Sequence, residues 1–313
     1  MVKVESGLFS ELRGTLQKSR TTFQTRKSGI VAEKKPIPPP DPRGRRECIR
    51  WIYRYLCDKW NTLTPEQKEQ YSETAEKHNI TLFNAFLKEE LTPRLWKCKL
   101  AKLNGQVLYL PLVEGEGNVA KDFSGFNNNG TIYGATWEKL TNGVNVLYFD
   151  GVDDYVNCGT DASLRPRKIS VEILTNHYSV TPSMEVISQD DVFKTNKGWN
   201  LKIVDGGLYW QIGNGSTRYT VSTTISANKW YHIVALYDPD LQEDNLKLYI
   251  NSELKSTYTI TSEISYDPTK AVGIGGLRIG KYNGIVAIAI VYNRALSDSE
   301  ISDHYELTKP YFK

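Results

Sequence analysis

Asn200-Leu201-Lys202-Ile203-Val204-Asp205-Gly206-Gly207-Leu208-Tyr209-Trp210-Gln211-Ile212 decides the fold class. Apolar and polar residues alternate on both sides of Asp205-Gly206-Gly207, the pattern of two strands joined by a tight turn. Alternation puts Tyr209 and Gln211 on one sheet face and Trp210 on the other. The same texture recurs outward from this hairpin, in Val107-Leu108-Tyr109-Leu110-Pro111-Leu112, Asn145-Val146-Leu147-Tyr148-Phe149 and Ile169-Ser170-Val171-Glu172-Ile173-Leu174. It continues in Trp230-Tyr231-His232-Ile233-Val234-Ala235-Leu236 and Leu246-Lys247-Leu248-Tyr249-Ile250. Clusters of Gly, Asn and Asp separate the runs. About a dozen short strands with no long helices between them predict an antiparallel two-sheet sandwich and argue against α/β folds. Near the end, Leu296-Ser297-Asp298-Ser299-Glu300-Ile301 carries a capping box and a hydrophobic staple, so a helix should run to about Leu307.

The net charge of +3 on 313 residues averages two unlike parts. Residues 1–100 hold 20 Lys/Arg against 12 Asp/Glu; the rest hold 19 against 24. Residues 1–46 lack periodicity, contain Pro36-Ile37-Pro38-Pro39-Pro40-Asp41-Pro42, and read as an extended basic arm. Leu8, Phe9, Leu12 and Phe23 punctuate it as apolar anchors. Residues 47–100 read as a helical anchor module, and residues 104–313 as the sandwich. In the module, Ile49, Ile52, Tyr53, Leu56, Trp60 and Leu63 form one apolar stripe. Thr64-Pro65-Glu66-Gln67 starts a second helix running to about His78, and Leu82–Glu90 makes a third. So small a helical core depends on a partner or on the sandwich. Arg45, Arg46, Trp51 and Trp60 join the arm's apolar residues as the expected assembly contacts. The basic residues suit acidic surfaces of neighbouring subunits, or nucleic-acid phosphates; the interleaved apolar anchors favour the first. The four cysteines, Cys48, Cys57, Cys98 and Cys158, form no CxxC pair, and a chain this long needs no disulfide framework. No run of about 18 apolar residues predicts a membrane span, and the polar N-terminus does not read as a secretory signal.

Six ordered motifs resemble the laminin-G-like, concanavalin A-type jelly roll. They are Leu108-Tyr109-Leu110-Pro111-Leu112-Val113-Glu114-Gly115, the stretch from Asp122 to Trp137, Phe149-Asp150-Gly151-Val152-Asp153-Asp154-Tyr155-Val156, Asn228-Lys229-Trp230-Tyr231-His232, Leu248-Tyr249-Ile250-Asn251-Ser252 and Tyr292-Asn293-Arg294-Ala295-Leu296-Ser297. The fifth corresponds to a family "LYING" element, and the last to "YNRALS". The resemblance implies a fold shared by lectins, adhesins, glycan hydrolases and inert spacers. Residues 6–90 resemble a tailed-phage structural protein family, through Ser10-Glu11-Leu12-Arg13-Gly14-Thr15-Leu16 and Trp60-Asn61-Thr62-Leu63-Thr64-Pro65-Glu66-Gln67. That resemblance implies a virion structural role, with other virion proteins and copies of itself as partners. Such a protein is made in the host cytoplasm and reaches the particle surface without the secretory route.

Three kinds of site follow. Host-glycan binding wants aromatic faces and amides, and Trp199, Tyr209, Trp210, Gln211, Asn214 and Arg218 cluster around one hairpin; alternation makes one of its aromatics core. Calcium is the one cofactor the fold brings into question. Asp122, Asn127 and Asn129 offer oxygens for it, and a tight turn is the competing reading. Ala287 stands where family members often carry Asp, so one ligand is missing. No catalytic residues are assigned. Asp153-Asp154, Asp190-Asp191 and Glu243-Asp244 all fall in turns, without the alternating spacing that aims two acids into a cleft. His78, His177, His232 and His304 show no metal spacing, and His232 reads as structural.

Overall fold

The structure, a computed structural model, describes residues 45–101, 103–189, 192–278 and 280–309, with the side chain of Phe193 left out. It also describes the backbone of two arm strands, Phe23–Arg26 (β1) and Gly29–Ala32 (β2), paired antiparallel. Leu8, Phe9, Leu12 and the side chain of Phe23 lie outside the described residues, as does Asp190-Asp191.

Helices follow at Arg45–Thr62 (α1), Pro65–Glu69 (α2), Ser72–His78 (α3) and Leu82–Leu95 (α4), then a 3-10 turn at Lys97–Leu100. The strands are Gln106–Leu110 (β3), Val119–Ala120 (β4), Gly130–Tyr133 (β5), Thr136–Lys139 (β6), Asn145–Asp150 (β7), Tyr155–Asn157 (β8), Ile169–His177 (β9) and Met184–Ser188 (β10). After a short helix at Val192–Thr195 (α5) come Lys197–Val204 (β11), Gly207–Asn214 (β12), Arg218–Thr224 (β13), Trp230–Tyr237 (β14), Leu246–Ile250 (β15), Glu253–Tyr258 (β16), Gly273–Ile274 (β17) and Asn283–Tyr292 (β18). A final helix spans Asp298–Thr308 (α6). The capping boxes read at Thr64 and Ser297 are both formed.

Two antiparallel sheets make the sandwich, as the alternation predicts. One has the order β16-β15-β14-β9-β18-β7-β6, with β3 also paired to β18; the other runs β13-β12-β11-β10-β17-β8-β5-β4. Ile173, Trp199, Leu201, Trp210, Ile233 and Val286 belong to the core between them. The first sheet is apolar on both faces. Tyr109, Val146, Leu174, Val234, Ile285 and Tyr292 on its far side join Ile52, Leu56, Phe86 and Leu91 of the helices and Ile301 of α6 in a second core. The layers are therefore helices, an inner sheet and an outer sheet.

Lys97 pins the helical layer down. Its side chain is 1% exposed. Its ammonium donates to the carbonyls of Leu112 (3.0 Å), Asn145 (2.7 Å) and Ala287 (2.8 Å). Burial pushes its pKa well down, Glu114 opposes this, and three donated bonds demand the charged form. The Tyr109 hydroxyl donates to the Lys97 carbonyl. Trp51 stacks on Tyr55 and meets the edge of Phe123, while Trp60 packs among Tyr71, Phe83 and Phe86. Both tryptophans therefore pack half-buried against this chain's own second core.

Three readings are corrected. Cys48 and Cys98 form a disulfide across a sequence separation of 50 residues, worth about 4 kcal/mol by loop closure in the unfolded chain. The second expected helix divides at Gln70-Tyr71, because the Tyr71 ring turns inward against Phe86 and Trp60. The third runs a turn beyond Glu90, through Pro93. There the buried Arg94 donates to the Glu90 carbonyl and carboxylate and, at 2.9 Å, to the Val113 carbonyl.

On the covered face Glu172 is 2% exposed and accepts from His232 Nε2 (2.9 Å), His304 Nδ1 (3.0 Å) and the Tyr292 hydroxyl (2.9 Å). Burial works against its charge, but the two imidazoles, His304 foremost, hold the carboxyl well below the usual range. Burial likewise opposes charge on His304, and Glu172 outweighs it, so His304 is held above its ordinary value.

Lys97→Ala strands three buried carbonyls and should cost about 3–5 kcal/mol in urea unfolding. The Glu172 contribution should fade as pH falls through the carboxylate range. The His304 contribution should be complete below about pH 6.5 and fade as pH rises through its raised value. His304→Gln should therefore flatten the alkaline side of a plot of melting temperature against pH, and weaken the acid side in part, because it removes the larger imidazole contribution to the low Glu172 pKa and leaves that of His232.

Candidate functional site

With the central strands β14, β9, β18 and β7 of the inner sheet buried on both faces, the outer face of the outer sheet is the central sheet surface not covered by the helices. In β11 and β12, Trp199, Leu201, Ile203, Leu208, Trp210 and Ile212 point into the core. Asn200, Lys202, Tyr209 and Gln211 therefore point outward. The strand registers link Thr131, Asn157, Gly273, Ser188, Asn200, Gln211 and Thr220 into one row across seven strands. Every side chain in this row is a hydroxyl or an amide, apart from the glycine. Beside it run Tyr133 and Tyr155 at one end, and Glu185, Lys202, Tyr209 and Ser222 at the other.

The middle of the row is recessed. Ser188, Asn200 and Gln211 are buried. Gln211 Nε2 donates to Thr220 Oγ1 (2.9 Å), and Arg278 reaches Ser188 Oγ at 3.3 Å. The Asn200 Oδ1 and Gln211 Oε1 atoms have no partner among the described residues. Leu277 lies over Gly273, where an added Cβ would come within 2.4 Å of it, so only glycine fits. The tyrosine end is open: Tyr133 is 45% exposed and stacks on Tyr155 at 4.6 Å, while Lys281 lies 5.1 Å over the Tyr155 ring.

Of the six residues expected to bind a glycan, the structure brings Tyr209, Gln211 and Arg218 to this face. Trp199 and Trp210 are fully buried between the sheets, their centroids 5.9 Å apart, so neither offers a ring to a ligand. Asn214 organises a turn instead: its Oδ1 accepts from Ser216 N and Thr217 N, and its Nδ2 donates to Ser262 Oγ and the Tyr219 hydroxyl. Sequence reasoning missed Tyr133, Tyr155, Ser188, Asn200 and Thr220. Their parity against apolar neighbours marks them as outward, but only the register joins them.

The expected calcium ligands serve a turn. Asp122 Oδ1 accepts from Tyr109 N and Ser124 N (both 2.8 Å), and its Oδ2 accepts from Asn128 N (2.8 Å) and Ser124 Oγ (2.7 Å). Asn129 Oδ1 accepts from Asp122 N, and Asn127 Oδ1 accepts from Asn129 Nδ2. The carboxylate is thus saturated by donors, with no lone pair turned to a cation. The structure instead gathers Asp150, Asp153 and Asp154, whose oxygens lie within 4.8 Å of one another beside Tyr155. Burial, with the neighbouring carboxylates, raises the Asp154 pKa. The bonds these residues make, Asp150 N to Asp154 Oδ2 and Val152 N to Asp150 Oδ1, are those of the turn itself.

Residues 150–302, just under half of the chain, match the laminin-G family model described as the concanavalin A-like lectin/glucanases superfamily. Among solved structures, the receptor binding domain of botulinum neurotoxin C/D mosaic serotype aligns with a TM-score of 0.52 and 19% identity, over 65% of this chain and 51% of that one. The binding domain of botulinum neurotoxin DC in complex with rat synaptotagmin II aligns with a TM-score of 0.51 and 16% identity over the same shares. The likeness is one of fold, and this chain spans about half the length of those domains. No curated protein matches the sequence. The sandwich is therefore a concanavalin A-like jelly roll, as the motifs implied.

Asp122→Ala removes four hydrogen bonds to a carboxylate and should cost about 2–4 kcal/mol. The loss of melting temperature should be the same in calcium and in chelator; a loss seen only with calcium would restore Asp122 as a ligand.

Proposed function

We propose that this chain is a non-catalytic virion structural protein that displays a glycan-binding jelly roll at the particle surface. The carrying observation is the division of faces. Helices seal the inner sheet, while the outer sheet carries an in-register row of hydroxyls and amides ending at a stacked tyrosine pair. Such a row suits a neutral, many-hydroxylated ligand: the amides and hydroxyls donate and accept, and an aromatic ring faces sugar C–H groups. Helix and sheet pack in one continuous core, so the module that anchors the chain also orients the binding face away from it.

Three further points support the reading. Glu185 is the one carboxylate among the described residues of the two rows, whereas glycoside hydrolysis wants two. The Cys48–Cys98 disulfide suits an oxidising setting such as a virion exterior. The resemblance of residues 6–90 to tailed-phage structural proteins, with the excess of basic residues there, favours docking on acidic surfaces of neighbouring virion proteins or further copies of itself. Nucleic-acid contact through the arm is the lesser alternative.

The full chain on a glycan array should retain a defined set of sugars, and Tyr155→Ala with Gln211→Ala should lower that retention about tenfold or more. Unchanged binding in the double variant would exclude this face. Mass spectrometry of purified particles should find the chain in fixed stoichiometry, and a chain lacking residues 1–46 should fail to incorporate.

A further inference from the structure

A second concavity lies away from the outer-sheet face, at the edge where the β15–β16 turn meets α6. Its volume is about 540 Å3, within the usual range for small-ligand sites. Tyr231, Asn251, Ser252, Lys255, Tyr305 and Lys309 line it, together with Thr224 of β13 and the Glu253 carboxylate.

Both rings are held in place. Tyr231 stacks on His177 with centroids 5.2 Å apart and planes 5° apart, and its hydroxyl accepts from Ser226 N. Burial pushes His177 down to about 4, so the stacked imidazole is neutral at ordinary pH. Tyr305 lies 5.9 Å from the His232 ring and carries Lys309 over its own ring at 5.5 Å. The rim is polar and preorganised as well. Asn251 Oδ1 accepts from the His232 amide at 3.0 Å. Asn251 and Ser252 make a two-residue turn with φ of 52° and 66°. The resembling family pattern has glycine at position 252, which suits that backbone. Serine there is strained and places a hydroxyl at the cavity.

The two ammonium groups are available at low cost. Lys255 pairs with Glu253, and Lys309 with Glu306 at 3.0 Å. All four side chains are about a third exposed or more, and exposed ion pairs of this kind contribute little, so an incoming anion can replace either glutamate.

From this geometry we infer that the cavity binds a sugar unit bearing a carboxylate. The Tyr231 ring, on the side away from His177, faces its C–H surface, Asn251 and Ser252 meet its hydroxyls, and Lys255 and Lys309, the latter lying over Tyr305, hold the carboxylate. The inference shares with the proposed function only that the ligand is carbohydrate; the site and the charge are different.

The test is a ligand-observed NMR titration of the full chain with glucuronate, with glucose, acetate and inorganic phosphate as controls. Glucuronate should bind about tenfold more tightly than any control, and Lys255→Gln with Lys309→Gln should remove that advantage without changing the melting temperature. Ser252→Gly should raise the melting temperature and weaken glucuronate severalfold, a pairing that a merely structural turn residue would not produce. Tyr155→Ala should leave glucuronate binding intact. Binding no tighter than glucose or phosphate overturns the inference, as does binding that survives loss of both lysines. If glucuronate binding is lost in Tyr155→Ala and kept in the lysine variant, the sugar sits on the outer sheet; that outcome overturns this site and upholds the proposed function.

Discussion

Three backbone carbonyls from distant parts of the chain converge on one ammonium, that of Lys97, and the layered architecture depends on that convergence. Each carbonyl sits where the ladders are irregular. Leu112 has φ of 49° just past the end of β3, Asn145 opens β7, and Ala287 lies in the bulge between Val286 and Ile288. A buried carbonyl outside a ladder costs free energy unless another donor reaches it. Lys97 supplies all three bonds from a single turn, and the neighbouring Cys98 ties that turn to the start of α1. The helical module is thus part of the sandwich's own hydrogen bonding rather than a bead on a linker.

That arrangement decides which sheet faces are free. The inner sheet carries Tyr109, Val234, Ile285 and Tyr292 on its far side, and these need cover. Once the helices and α6 supply it, a charged group on that side needs internal partners, as Glu172 has in two imidazoles and a phenol. The departure from the family pattern at Ala287 fits the same constraint. The position is fully buried under the helical layer, and its carbonyl belongs to Lys97. The sheet surface left outside the helical layer is thereby that of the outer sheet and the sandwich edges.

The sandwich, the caps at Thr64 and Ser297 and the last helix were legible because each rests on spacing within a few residues. What escaped rests on pairing between distant segments. Trp199 and Trp210 look alike on paper, as aromatics in a polar hairpin, yet both face the core, because each shares its parity with Leu201 or Ile212. Cys48 and Cys98 stand 50 residues apart and meet only when α1 and the 3-10 turn pack side by side. Asp122 carries the residue types of a calcium loop, but the strand beside it supplies the Tyr109 amide to its carboxylate. The polar row was hidden in the same way: each member is one outward residue of its own strand, and only the register aligns them.

Buried polar atoms left without a partner among the described residues occur on both faces, at Glu114 Oε2 and His232 Nδ1 on the covered side and at Asn200 Oδ1 and Gln211 Oε1 on the outer sheet. On the covered side Glu172 has three donors and Lys97 three acceptors. On the recessed part of the outer sheet, Asn200 Oδ1 and Gln211 Oε1 have none among the described residues. Each such group costs about 1–3 kcal/mol relative to a satisfied one. Apolar residues could fill both positions as well as they fill the inner face, and a fold selected for stability alone would gain from that exchange. Two amides aligned by register across β11 and β12 thus leave oxygens buried beneath the outer face, and the polar groups this face presents to solvent are those flanking them, Thr131, Asn157 and Thr220. The strain at Ser252 has the same logic at the opposite edge: a stability cost carried where a hydroxyl is presented to a cavity.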